Sequence, residues 1–79
     1  MNYRITVEKI EGETTTRQQE VMRHLREGLS NKSIARRMMI SEATVKIHIR
    51  HIMRKLGAHN RTQVALHVAN AEAYSAQSV

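Results

Sequence analysis

Gly28 to Gly57 reads GLSNKSIARRMMISEATVKIHIRHIMRKLG, and its serines and glycines divide it into a short helix, a tight turn and a longer helix. Ser30 or Asn31 can cap the short helix by accepting from backbone N–H groups of its first turn. Ile34, Ala35 and Met38 form its apolar side. Ser41 stands where it can cap the longer helix, and Gly57 where it can end it in the left-handed conformation. The predicted helices are 32–38 and 42–56. The three or four residues between them give the spacing of a helix-turn-helix.

Within 42–56, residues placed 100° apart put Val45, Ile49, Ile52 and Leu56 within about 40° of one line, the signature of a buried stripe. The opposite face carries Ala43, Ile47, Arg50 and Arg54, flanked by Lys46 and His51. A helix that only covers a core shows solvent a mixture of charges; this one shows cations, small apolar groups and no acid after Glu42. Such a face suits the DNA major groove, where Arg and Lys donate to guanine O6 and N7 and an aliphatic group packs on a thymine methyl. Lys46, Ile47 and Arg50, near the leading end of the helix, are the candidate base contacts.

Phosphate oxygens call for donors without sequence preference. Asn31 and Lys32 sit at the start of the short helix, where free N–H groups and the dipole favour an anion. Thr44, Lys55 and Arg61 flank the longer helix, and His48 and Arg54 complete the candidate backbone contacts. Charge supports the assignment. Of the net +6, residues 31–61 contribute eight cations against Glu42 alone, while the other five cations face six acids. A basic stretch of this kind is the footprint of a polyanion ligand, although on charge alone a merely solvated surface is an equal reading.

Outward from this centre, Thr15 and Gln18 have the spacing of a capping box ahead of Val21, Met22 and Leu25, predicting a helix over 16–27 that stops at Gly28. Asn60 can cap a helix over 61–71 whose inward line is Val64, Val68 and Ala71. Its other side gathers Leu66, Ala69 and Ala73, too apolar for a solvated face, and is predicted to be a weak dimer contact formed mainly on DNA. Residues 1–14, with the weak alternation of Tyr3, Ile5 and Val7, read as an arm or linker holding at most a short strand; 74–79 reads as a frayed tail. The expectation is an all-α, compact four-helix domain over 15–73.

The 79 residues allow one domain. The chain has no cysteine, no tryptophan and no phenylalanine, so packing falls to Leu, Ile, Val, Met and Ala, and thiolate or disulfide chemistry is excluded. No run approaches the length of a membrane span, and charges in the first fourteen residues do not suit a signal peptide; a cytoplasmic protein without membrane contact is expected. There is no aspartate, glycine-rich phosphate loop or nucleophile elbow, so no enzyme and no cofactor is expected. His48 and His51 lie three apart, but no further spacing completes a ligand set, and no metal is expected. His24, His59 and His67 read as surface or boundary residues.

Four motifs in order, Thr15-Thr16-Arg17-Gln18-Gln19-Glu20-Val21-Met22, Gly28-Leu29-Ser30-Asn31-Lys32-Ser33-Ile34-Ala35, Ser41-Glu42-Ala43-Thr44-Val45-Lys46-Ile47-His48 and Lys55-Leu56-Gly57, closely resemble the DNA-binding domain of LuxR-type (NarL- or GerE-like) bacterial transcriptional regulators. The resemblance spans about residues 14–71. It implies a four-helix domain, a third helix in the major groove, a fourth that often forms the dimer contact, base contacts at Lys46, Ile47 and Arg50, and phosphate contacts at Asn31, Lys32, Thr44, Lys55 and Arg61. It also implies that Glu20 anchors a basic residue. The chain departs from the family at Thr14, Thr16 and Gln18, where Leu, Pro and Glu are usual. Most members also carry a receiver or ligand-binding domain ahead of these helices, so a stand-alone member or a fragment of a response regulator is expected.

Double-stranded DNA and a second copy of the chain, on inverted half-sites, are the expected partners, with RNA polymerase a further candidate. Two other readings compete. A sigma-factor-like promoter-recognition domain shares the helix-turn-helix but has no need of a dimer helix. A helical protein-interaction module could offer the basic surface to an acidic protein, but exposed Ile47 among groove-spaced cations suits DNA better. RNA is disfavoured by the near absence of stacking aromatics.

Overall fold

A computed structural model describes residues 3–77 as five α-helices: α1 (Tyr3–Glu13), α2 (Thr16–Arg26), α3 (Asn31–Met38), α4 (Glu42–Leu56) and α5 (Arg61–Gln77). Among the described residues there is no strand. The all-α class holds, and the count of four helices is corrected to five. The segment expected as an arm or short strand is helical because Tyr3, Val7 and Ile10 recur at helical spacing, and on a helix they share the half-buried face. The period-two alternation of Tyr3, Ile5 and Val7 was misleading, since Ile5 points to solvent. At the other end α5 runs on through the segment expected to fray, as far as Gln77.

The caps explain where each helix begins. Thr15 accepts from Gln18 N while Gln18 Oε1 accepts from Thr15 N, a reciprocal capping box that opens α2. Ser30 accepts from Ser33 N, and Ser41 from Thr44 N, at the starts of α3 and α4. Asn60 Oδ1 accepts from Gln63 N at the start of α5. Gly28 (φ 81°) and Gly57 (φ 67°) take the left-handed conformation after α2 and α4, where a side chain would be strained. Met39 ends α3 in the same conformation (φ 58°, ψ 44°) without being glycine.

The core lies where α2, α3, α4 and α5 meet. Val21, Met22, Ile34, Val45, Ile52 and Val64 are its fully buried large side chains, with Leu25, Met38, Ile49, Leu56 and Val68 around them. Each such side chain contributes roughly 1.5–3 kcal/mol when taken fully out of water. The predicted stripe Val45, Ile49, Ile52 and Leu56 is buried throughout, as is Val64, Val68 and Ala71 on α5. α1 lies outside this core, along α5 and against the end of α4, with Asn70 Nδ2 donating to the Tyr3 hydroxyl.

Candidate nucleic-acid interface

Burial of one face of α4 fixes what its other face shows. Ala43, Lys46, Ile47, Arg50, His51 and Arg54 are exposed, with Ile47 47 % accessible between its charged neighbours. The helix is held at its leading end by the Ser41 cap and by Val45 N donating to Ser41 O. The turn before it is closed by Ile40 N donating to Ala35 O. The exposed face therefore projects from a helix whose position is determined by core packing on one side and a hydrogen-bonded turn on the other.

Five of the cations on this surface lack an internal partner. Arg4, Arg17, Arg26 and Arg37 are paired with carboxylates. Among the described residues Lys32 and Arg36 on α3, and Lys46, Arg50 and Arg54 on α4, form no ion pair. Five free cations on two adjacent helices give a potential that falls off over the Debye length of about 8–10 Å at physiological salt. An approaching polyanion would meet it before contact.

The remaining predicted phosphate contacts divide. Lys32 is exposed in the first turn of α3, and His48 is half-buried on the side of α4. The Thr44 hydroxyl lies 2.9 Å from that of Ser41. Arg61, in contrast, is turned inward: Nη1 donates to Asn31 Oδ1 at 2.5 Å and Nη2 to Leu29 O at 2.6 Å. Lys55 is also engaged within the domain, its ammonium donating to Glu13 O at 2.7 Å and to Gln18 Oε1 at 2.9 Å. Asn31 retains its Nδ2 hydrogens for another acceptor.

Glu20 lies 3.6 Å from Arg17, and Arg17 Nη2 donates to Met38 O at the end of α3. The anchored basic residue is thus a near neighbour in sequence that links α2 to the helix-turn-helix. His24 is half-buried with Nδ1 enclosed and 4.0 Å from the Glu27 carboxylate, whereas His59 is exposed and His67 half-buried. Met39, 91 % accessible in the turn, was not among the expected surface features; it lies just past the predicted end of the short helix, whereas Met38 shares the apolar side with Ile34 and is buried.

A short and a longer capped helix joined by a tight turn, with a cation-bearing face on the second, define a helix-turn-helix domain. Its family follows from sequence: a model for bacterial regulatory proteins of the luxR family matches residues 14–68, and the chain belongs to that family of DNA-binding transcription regulators. The nitrate/nitrite response regulator NarL of Escherichia coli K12 is 37% identical over 65 residues, covering 82% of this chain and 30% of that protein. A nitrate/nitrite response regulator homologue of Haemophilus influenzae is 53% identical over 47 residues, 60% of this chain and 23% of that protein. NarP of Escherichia coli K12 is 46% identical over 52 residues, 66% of this chain and 24% of that protein. The chain thus spans less than a third of the length of each of these relatives. No solved structure matches it significantly. None of the described helices is long and apolar enough to cross a membrane.

Proposed function

We propose that this domain binds double-stranded DNA sequence-specifically to regulate transcription, with α4 in the major groove. The observation that carries the reading is the exposed face of α4, where Lys46, Arg50 and Arg54 have no carboxylate partner and Ile47 stands uncovered among them. Lys46 and Arg50 donate to purine edges, and Ile47 packs against a thymine methyl. Lys32, the Asn31 amide N–H groups, Thr44, His48 and Arg54 contact phosphates and set the register.

Binding takes place as a dimer on inverted half-sites, through the exposed outer face of α5. Leu66 is 59 % accessible there, with Ala73 exposed and Ala69 half-buried beside it. The small alanines allow two helices to approach closely around Leu66. The area is modest, which suits a pair that assembles on DNA, where the duplex holds both copies at high effective concentration.

Selection of bound duplexes from a random pool at near-physiological salt, followed by sequencing, tests this. Enrichment of an inverted repeat is expected. Binding without enrichment would remove the base-reading role of α4, and absence of binding would leave the basic surface to a protein partner.

A further inference from the structure

The two hydrogen bonds of Lys55 connect elements far apart in sequence. Its acceptors are a carbonyl in the last residue of α1, at Glu13, and the side chain of Gln18, the 6 %-accessible capping residue of α2. The end of a helix leaves carbonyls without intrahelical donors and carries the negative end of the dipole, so an ammonium is favoured there. Neighbouring groups complete the connection. Gln19 Nε2 donates to Ile10 O at 3.0 Å, to Thr14 O at 3.3 Å and to Thr14 Oγ1 at 3.1 Å, and the Thr14 hydroxyl donates to Ile10 O. Two of the last four carbonyls of α1, those of Ile10 and Glu13, thus accept from side chains of α2 and α4, and α1 lies outside the 14–68 segment that defines the family.

We propose that Lys55 is a positioning residue that ties the trailing end of α4 to α1, so that α1 helps to set how the reading face meets DNA, and that Lys55 does not contact a phosphate. Two of its three ammonium hydrogens are already committed, and a phosphate could recruit the group fully only by breaking hydrogen bonds that hold α1. Arg54, one residue earlier and on the exposed side, has no such commitment. Lys55 lies five residues beyond Arg50, about 7–8 Å along the helix axis, close enough for a displaced end to tilt the base-contacting turn. A change in the docking of α1 can reach the reading helix through this ammonium.

The test uses the full chain carrying Lys55→Met, which keeps the aliphatic stem and removes the charge. The proposal rests on DNA reading by α4, but its first measurement does not. Hydrogen exchange on the free protein should show α1 amides exchanging roughly tenfold faster or more, with α4 core amides around Ile49 and Ile52 staying protected. The second measurement is the slope of log affinity against log salt on duplex DNA. Loss of a phosphate contact lowers its magnitude by about one, as expected for Lys32→Ala; Lys55→Met should leave it unchanged.

Unchanged protection of α1, or a fall of about one in the slope, overturns the proposal. Lys55→Gln provides the check should Lys55→Met fail to fold, since its amide N–H can still donate to Glu13 O but carries no charge. It should preserve much of the α1 protection with an unchanged slope, and a slope reduced by one would overturn the assignment. Failure of the wild-type chain to bind any duplex would defeat the DNA-reading function, while the exchange measurement would still decide the tie between α1 and α4.

Discussion

Arg61, the first residue of α5, holds Asn31, the first residue of α3, through a 2.5 Å hydrogen bond, and its other terminal nitrogen takes Leu29 O at 2.6 Å. One guanidinium thereby fixes the loop that leads into the helix-turn-helix. Its two donors reach two acceptors in a geometry that a single ammonium would match poorly. Arg61→Ala is expected to lower stability by roughly 1–3 kcal/mol, the range for hydrogen bonds to a charged group that is partly shielded from water. Urea denaturation measures this. A midpoint within error of wild type would show that the pair is incidental and return Arg61 to the phosphate-contacting set.

Met39 takes a left-handed conformation at the end of α3 while its side chain lies almost wholly in solvent. An L-residue other than glycine or asparagine meets a steric cost there of about 1–2 kcal/mol, and little packing is recorded in return. Met39→Asn should therefore raise stability, by roughly 0.5–1 kcal/mol, because asparagine tolerates this conformation without the unfolded-state entropy of glycine. A higher denaturation midpoint at unchanged slope is the expected result. A lower midpoint would mean that the methionine side chain holds the turn by a contact with real energy.

Gln18 accepts from Lys55 Nζ and from Thr15 N through the same oxygen, Oε1. Gln18→Glu would keep the capping box, place a carboxylate at the favourable end of the α2 dipole and turn the Lys55 contact into a charge-assisted one. Against this stands the desolvation of a carboxylate at a buried position. With an ammonium at 2.9 Å the balance should favour glutamate by about 0.5–1.5 kcal/mol, and the gain should shrink as salt is added. Destabilisation would show that desolvation prevails even with a partner in place.

These positions also mark the limit of what the amino-acid order discloses. Both faces of α4 were legible because a 3.6-residue period, a capping serine and a terminal glycine agree on one helix. The internal hydrogen bonds of Lys55 and Arg61 were not. Their acceptors lie 42 and 37 residues away for Lys55, and 30 and 32 residues away for Arg61; two of the four are backbone carbonyls, which no residue type announces. For α1 the apolar residues fit two periods at once, and only packing against α5 selects the helical one. The exposure of Lys46, Ile47 and Arg50 needed no distant partner to be foreseen, since it follows from the burial of Val45 and Ile49 on the other face.

Removing a base-reading cation and removing a phosphate-binding one should differ in kind. Lys46→Ala and Arg50→Ala are each expected to weaken the preferred site by roughly 1–3 kcal/mol and to relax preference at one position. Lys32→Ala should weaken all sequences alike. Binding to a panel of single-base variants of the selected site separates the cases. Equal loss on every duplex for Arg50→Ala would reassign that residue to the backbone.

The proposed dimer face allows the sharpest separation of association from reading, because Leu66 lies on α5 and the candidate base contacts lie on α4. Leu66 is 59 % accessible and adjoins Ala69 and Ala73, so Leu66→Glu removes no core packing and should leave the monomer's stability within about 0.5 kcal/mol of wild type, as for most surface changes. In a two-fold pair the same residue is introduced on both copies, and two carboxylates would meet near the centre of the contact. Binding to an isolated half-site should be unchanged, whereas the advantage of paired half-sites should fall by tenfold or more, because linkage through the duplex multiplies even a weak contact. Sedimentation on paired-site DNA should then show a single protomer at protein concentrations that saturate both half-sites with the wild-type chain. If Leu66→Glu leaves paired-site binding cooperative, the copies must meet elsewhere or act independently, and the apolar side of α5 has to be assigned to another partner.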